Sequence, residues 1–147
     1  METKNLDIVY FIKDGLVNEE FRYSLRSVCK NMPHKRIWVF GGCPRSIVPD
    51  VRIRVQQEGI TKWDRVHAMF KLACENKELS ENFILFNDDF FIMKPTDRID
   101  PYYRDTLEEH VKVLGKGLYA SMLEGIDEEL KSRKLSTYSY ELHIPFI

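Results

Sequence analysis

Apolar and polar positions along this chain follow two periods, and the switches between them mark its elements. Residues 6–12 (LDIVYFI) are a near-continuous apolar run rich in β-branched and aromatic side chains, as for a strand buried on both faces of a parallel sheet. Lys13-Asp14-Gly15 closes that run as a turn. Asn18 suits an N-cap, and Phe21, Leu25, Val28 and Met32 then recur at helical spacing until Pro33. Residues 36–40 (RIWVF) predict a second buried strand ended by Gly41-Gly42-Cys43-Pro44, and residues 51–55 (VRIRV) alternate like an edge strand. A helix follows from Thr61-Lys62-Trp63-Asp64 to about Lys77, with Val66, Met69, Phe70, Ala73 and Cys74 on its apolar face. It delivers the chain to a strand over residues 83–87 that ends in Asn87-Asp88-Asp89, after which Phe90, Phe91, Ile92 and Met93 restore the apolar run.

Beyond Pro95, residues 96–101 read as a linker-like turn. A helix is predicted from about Tyr103 to Leu114, with a further helical stretch through Leu130 to Arg133. Residues 137–144 alternate like a final strand, with Tyr138, Tyr140, Leu142 and Ile144 on one face and Ser139, Glu141 and His143 on the other. The pattern predicts a single α/β domain over residues 1–147, an open, mostly parallel sheet with flanking helices. Residues 1–95 form its core and carry the site; residues 96–147 add a helical segment and the last strand. In such sheets ligands bind at the carboxyl ends of the strands, where the acidic pair sits.

Composition narrows the function classes. A net charge of −1 and a pI near 6.4 argue against a protein that relies on a basic face for nucleic acid. No apolar run approaches the roughly 20 residues of a membrane span, and the N-terminus has acidic residues and a strand-like core in place of a signal peptide, so the simplest address is cytoplasmic. Cys29, Cys43 and Cys74 are widely spaced with no CxxC, which gives no zinc signature and fits reduced packing thiols.

The chemistry concentrates at residues 87–89. Ionised carboxylates held between apolar segments need a cation or hydrogen-bond donors. Such oxygen-rich positions suit Mg²⁺ or Mn²⁺, which take one or two carboxylates and complete their shell with water and substrate phosphates. Asp89 is the first candidate metal ligand and Asp88 the second. Adjacent strand residues point to opposite faces, so both reach one ion only where the strand bends. The competing reading is a plain strand-end turn, with Asp88 and Asp89 on nearby amides and Asn87 on its own backbone. Arg22 and Arg26, four apart on one helical flank, have Glu19 as the acidic neighbour in register, and Arg26 suits a phosphate with its planar donor fork. His143 suits a general base for an acceptor hydroxyl. His67 reads as a partly buried helix histidine, and Trp63 as either a sugar platform or a staple at the helix entry.

Four segments, residues 7–15 (DIVYFIKDG), 21–28 (FRYSLRSV), 36–44 (RIWVFGGCP) and 79–91 (LSENFILFNDDFF), resemble in order and spacing the first two conserved regions of the Stealth family of sugar-phosphate transferases. Shorter bacterial and phage-borne glycosyltransferase-like chains are similar too. The resemblance covers roughly residues 7 to 95. It implies a core like the GT-A nucleotide-sugar fold, a UDP-type nucleotide-sugar donor, a divalent metal, and a glycan or other hydroxyl acceptor. By residue it implies donor binding at Asp14, Gly15, Arg22, Arg26, Asn87 and Asp88, metal at Asp88 and Asp89, and catalysis involving Asp89. Lys13 stands where the family has an apolar residue, and the segment around His67-Ala68 keeps only that pair. The family's later regions, which include a histidine near a proline, have only a faint echo in residues 141–147 (ELHIPFI), as in a trimmed relative or a chain that continues.

Three functions are therefore expected in order. The first is a glycosyltransferase or hexose-1-phosphate transferase. The second is a carbohydrate- or nucleotide-binding module that kept the donor pocket without catalysis. The third, a metal-dependent phosphohydrolase, lacks a DxDx(T/V) nucleophile motif.

Overall fold

The two apolar runs nearest the N-terminus are the central strands of a four-stranded parallel sheet. In the computed structural model, which describes residues 2–57, 61–100 and 103–140, the order is β1 (Asp7–Ile12), α1 (Glu19–Asn31), β2 (Ile37–Gly41), β3 (Val51–Ile53), α2 (Lys62–Glu75) and β4 (Phe83–Phe86). The strands lie side by side as β3-β2-β1-β4, all parallel. The expected β-α-β-β-α-β alternation is present. Neither sheet face is free, because α1 and α2 cover opposite sides. Ile8, Tyr10, Ile12, Ile84 and Phe86 pack with Phe21 and Val28 of α1, and Val9, Trp38, Phe40 and Leu85 pack with Met69 and Ala73 of α2. Each such fully buried side chain contributes about 1.5–3 kcal/mol.

Caps fix where the helices begin. The Asn18 side chain accepts a hydrogen bond from the Phe21 amide at 2.9 Å, and Thr61 and Asp64 form a reciprocal capping box at the start of α2. At the amino edge of the sheet, Asp7 is fully buried and accepts hydrogen bonds from the Ser80 amide at 2.8 Å and hydroxyl at 2.9 Å, with the Arg36 guanidinium at 3.4 Å. Burial pushes its carboxyl up, but these donors outweigh it and leave the pKa below 3.8. That edge is locked, and the opposite edge carries the loops.

Several expectations are corrected here. The edge strand stops at Ile53 and the acidic strand at Phe86. Among the thiols only Cys43 is buried; Cys29 and Cys74 are exposed because Val28 and Ala73, one residue earlier, hold the inward positions. His67 is exposed, since it lies two residues before buried Met69 and so nearly opposite it around the helix.

Contacts divide the described residues into two units, one reaching Asp100 and one beyond it. In the second, β5 (Tyr103–Thr106) pairs antiparallel with β6 (Tyr138–Tyr140), and α3 (Leu107–Leu114) and α4 (Leu118–Ser132) lie between them in sequence. The helix predicted from Tyr103 therefore starts later. Thr106 is its N-cap, accepting from the Glu109 amide at 3.2 Å, and Gly115 with φ 71° ends it. Tyr138 and Ser139 lie on opposite faces of the last strand, and the inward one is Ser139. Ser139 is buried and its hydroxyl lies 2.7 Å from Nδ1 of buried His110, while Tyr138 is 50% exposed. Leu142 and Ile144 lie outside the described residues.

Candidate functional site

Strand order decides where a ligand can enter. From β1 the chain builds outward to β2 and β3 on one side, then returns to place β4 on the other. The loops after β1 and β4 leave the sheet beside each other at this switch point, where open parallel sheets form their ligand crevice. The acidic residues lie there. Because β4 ends at Phe86, Asn87, Asp88 and Asp89 stand on a turn, with the Phe90 amide donating to the Asn87 carbonyl at 3.3 Å. The alternation that would separate Asp88 from Asp89 is broken. Asn87 and Asp89 are exposed, Asp88 is half-buried, and Phe90 anchors the turn in the core.

One side chain joins the turn to α1. Asn18, whose Oδ1 caps the helix, donates from Nδ2 to Asp88 Oδ2 at 2.8 Å. Asp88 thus sits by the amino end of α1, where the helix dipole favours negative charge. Further along α1 a polar stripe holds the chain after the turn. Ser24 Oγ donates to the Phe90 carbonyl at 2.5 Å and bonds the Tyr10 hydroxyl at 2.9 Å. Ser27 Oγ accepts from the Ile92 amide at 2.9 Å, and Asn31 donates to the Ile92 carbonyl. Burial drives the Tyr10 phenol well above its ordinary value of 10.0; Ser24 opposes this, and Cys29 and Asp88 add to it.

The loop after β1 is clamped from the other side. Gln57, 6% exposed, donates from Nε2 to the Ile12 carbonyl at 2.9 Å and accepts the Asp14 amide on Oε1 at 3.0 Å. Gly41 has φ 99°, and a Cβ there would lie 2.3 Å from the Ile12 carbonyl oxygen; at Gly42 it would lie 2.3 Å from that of Lys13. Only glycine lets β2 pass this close. Asp14 and Gly15 are thereby held at the rim, both exposed.

The structure brings Asp14 and Gly15 to the same sheet edge as Asn87, Asp88 and Asp89. Arg22 is on α1, paired with Glu19 and stacked on Tyr23 with its guanidinium 4.7 Å from the ring centre. Arg26 is exposed one turn further on. Trp63 is 67% exposed at the start of α2 and does not staple into the core. His143 lies outside the described residues. Sequence reasoning missed Asn18 as the partner of Asp88, Gln57 as the clamp, and Ser24, Ser27 and Asn31 as supports. The serines and Asn31 carry a readable signal, polar residues along one flank of an otherwise amphipathic helix.

The turn offers two carboxylates, oxygen donors of the type that hard divalent cations take. Asp89 has no partner among the described residues, and Asn18 engages one oxygen of Asp88. No group of three or more His, Cys, Asp or Glu side chains that could hold a metal is found among the described residues. A cation here would share its shell between one or two carboxylates, water and ligand phosphates, the habit of Mg²⁺ and Mn²⁺. Among the described residues no helix is long and apolar enough to cross a membrane. Comparison with known proteins gives no match: no family model, curated protein or solved structure is significantly similar to this chain.

Proposed function

We propose that this chain is a metal-dependent transferase with a GT-A-like core, using a nucleotide-sugar donor of the UDP type to modify a hydroxyl acceptor, with a glycan as the acceptor class. The observation that carries this reading is the Asn87-Asp88-Asp89 turn at the β1/β4 switch point, tied to the amino end of α1 through Asn18. Asp89 and Asp88 would hold Mn²⁺ or Mg²⁺, which when bound neutralises charge on the donor's phosphates. Asn87 offers its amide to donor oxygens. Asp14 and Gly15 line the donor from the β1 side, and Arg26 is the exposed guanidinium for a phosphate. Arg22, paired with Glu19 on the same helix, is the second arginine proposed for the donor. His143 is the proposed base for the acceptor proton.

Two transfers fit this site, and their products differ. If the acceptor oxygen attacks the anomeric carbon, the carbon–oxygen bond breaks and the nucleoside diphosphate leaves. If it attacks the sugar-bearing phosphorus, the phosphoanhydride breaks and the monophosphate leaves. Incubation with UDP-hexoses, Mn²⁺ and glycan acceptors should release UDP or UMP, and Asp89→Ala should abolish release. A folded protein that releases neither from any donor would refute the proposal.

A further inference from the structure

The chemistry above leaves a group of arginines unused. Arg45 lies in the connection after β2, Arg52 on β3 and Arg54 just past its end; all are exposed. With Gly15, Leu16 and Ser46 they line a cleft of about 620 Å³ at the carboxyl edge of the sheet. The edge strand explains their convergence. Val51, Ile53 and Val55 pack toward the core beneath α2, so Arg52 and Arg54, two residues apart, turn to the opposite face. On that face the connection after β2 packs its Cys43 and Ile47.

Among the described residues none of these arginines has an acidic partner, whereas Arg22, Arg36, Arg98 and Arg133 all do. Like charges lining one cleft repel, and an anion relieves that repulsion while accepting charge-assisted hydrogen bonds. Charged edge strands also discourage pairing with another chain. That role requires neither Arg45 nor a cleft. The volume is that of a small-molecule site, and with a net charge of −1 the basic surface is local.

We propose that this cleft binds the phosphate groups of a small, multiply charged ligand, a pyrophosphate or phosphodiester, through arginines that the acidic turn does not use. β3 and β4 are the two edges of the sheet, about 14 Å apart, so Arg52 stands away from the acidic turn, while Gly15 of the loop after β1 borders the cleft. The inference goes beyond the transferase reading, since it requires neither metal nor Asp89.

Metal-free calorimetric titration of the full chain with inorganic pyrophosphate at physiological ionic strength tests it. Wild type should bind. The double variant Arg52→Gln/Arg54→Gln should bind about tenfold or more weakly, with unchanged circular dichroism and melting. Arg45→Gln alone should weaken binding less. Arg133→Gln, which removes one charge outside the cleft, should bind like wild type. Competition then identifies the source of the phosphate, with displacement by UDP indicating a nucleotide and displacement by a glycerol phosphodiester oligomer indicating a phosphodiester-bearing molecule. Absence of pyrophosphate binding in wild type, equal binding by the double variant, equal weakening by Arg133→Gln, or displacement by neither competitor would overturn it. The readout involves no turnover, so failure of transfer leaves the inference standing and failure here leaves transfer testable.

Discussion

Asn18 performs two tasks with one side chain, and substitution separates them. Its oxygen caps α1 and its nitrogen holds Asp88. Asn18→Ala removes both and should cost about 1–2 kcal/mol in urea denaturation. Asn18→Ser keeps a capping oxygen but is too short to hold Asp88, so most stability should return while metal-dependent nucleotide affinity falls several-fold. Equal instability of the two variants would show that capping is not what Asn18 contributes. The buried relay from Tyr10 through Ser24 to the Phe90 carbonyl has a similar asymmetry. Tyr10→Phe leaves Ser24 bonded to Phe90 and should cost about 1 kcal/mol. Ser24→Ala strands a buried phenol and a carbonyl together and should cost more, about 2–3 kcal/mol. Because the folded-state pKa of Tyr10 is raised, its contribution is intact below the ordinary value of 10.0. Above that pH the unfolded chain ionises first, so stability falls as pH rises. Tyr10→Phe should show a shallower alkaline decline; an identical slope would contradict the burial argument.

Strands buried on both faces leave a mark in sequence that no partner can disguise, which is why β1, β2 and β4 were readable as apolar runs. The helices were readable for a related reason: Asn18 and Thr61 sit directly before an apolar repeat. What the sequence hid are contacts between residues far apart in the chain. Gln57 meets the Ile12 carbonyl across 45 positions, and nothing local distinguishes it from the neighbouring Gln56. The acidic pair was legible as chemistry, but its release from strand alternation depends on β4 stopping at Phe86. In the second unit, tertiary pairing overrode helix periodicity at Tyr103–Thr106, and which face of the last strand turns inward is set by the distant Ser139–His110 contact. The close pass of β2 yields a prediction at this scale. Gly42→Ala drives a Cβ into the Lys13 carbonyl, so β2 or the β1 loop must shift. We expect a loss of about 1–3 kcal/mol and weaker nucleotide binding, because Asp14 moves with that loop. A variant with wild-type melting and affinity would show that the contact relaxes without cost.

The unit reaching Asp100 carries different groups at the two ends of its strands. Its amino edge is closed by Asp7, Ser80 and Arg36, and its carboxyl edge presents the β1 loop, the acidic turn and the arginine cleft. The acidic turn, distant in sequence, comes beside the loop after β1 because β4 pairs with β1. That topology sets the carboxylates at the switch point of the sheet, where the proposed function would use them to hold a phosphate-bearing ligand through a cation. The most direct measurement is calorimetric titration of UDP and UDP-hexoses into the full chain with and without Mn²⁺, for wild type and Asp89→Ala. Nucleotide binding that requires the metal and is lost in Asp89→Ala is the predicted result. Binding that is indifferent to both Mn²⁺ and Asp89, or no binding by the folded protein, would contradict the acidic turn as the donor site.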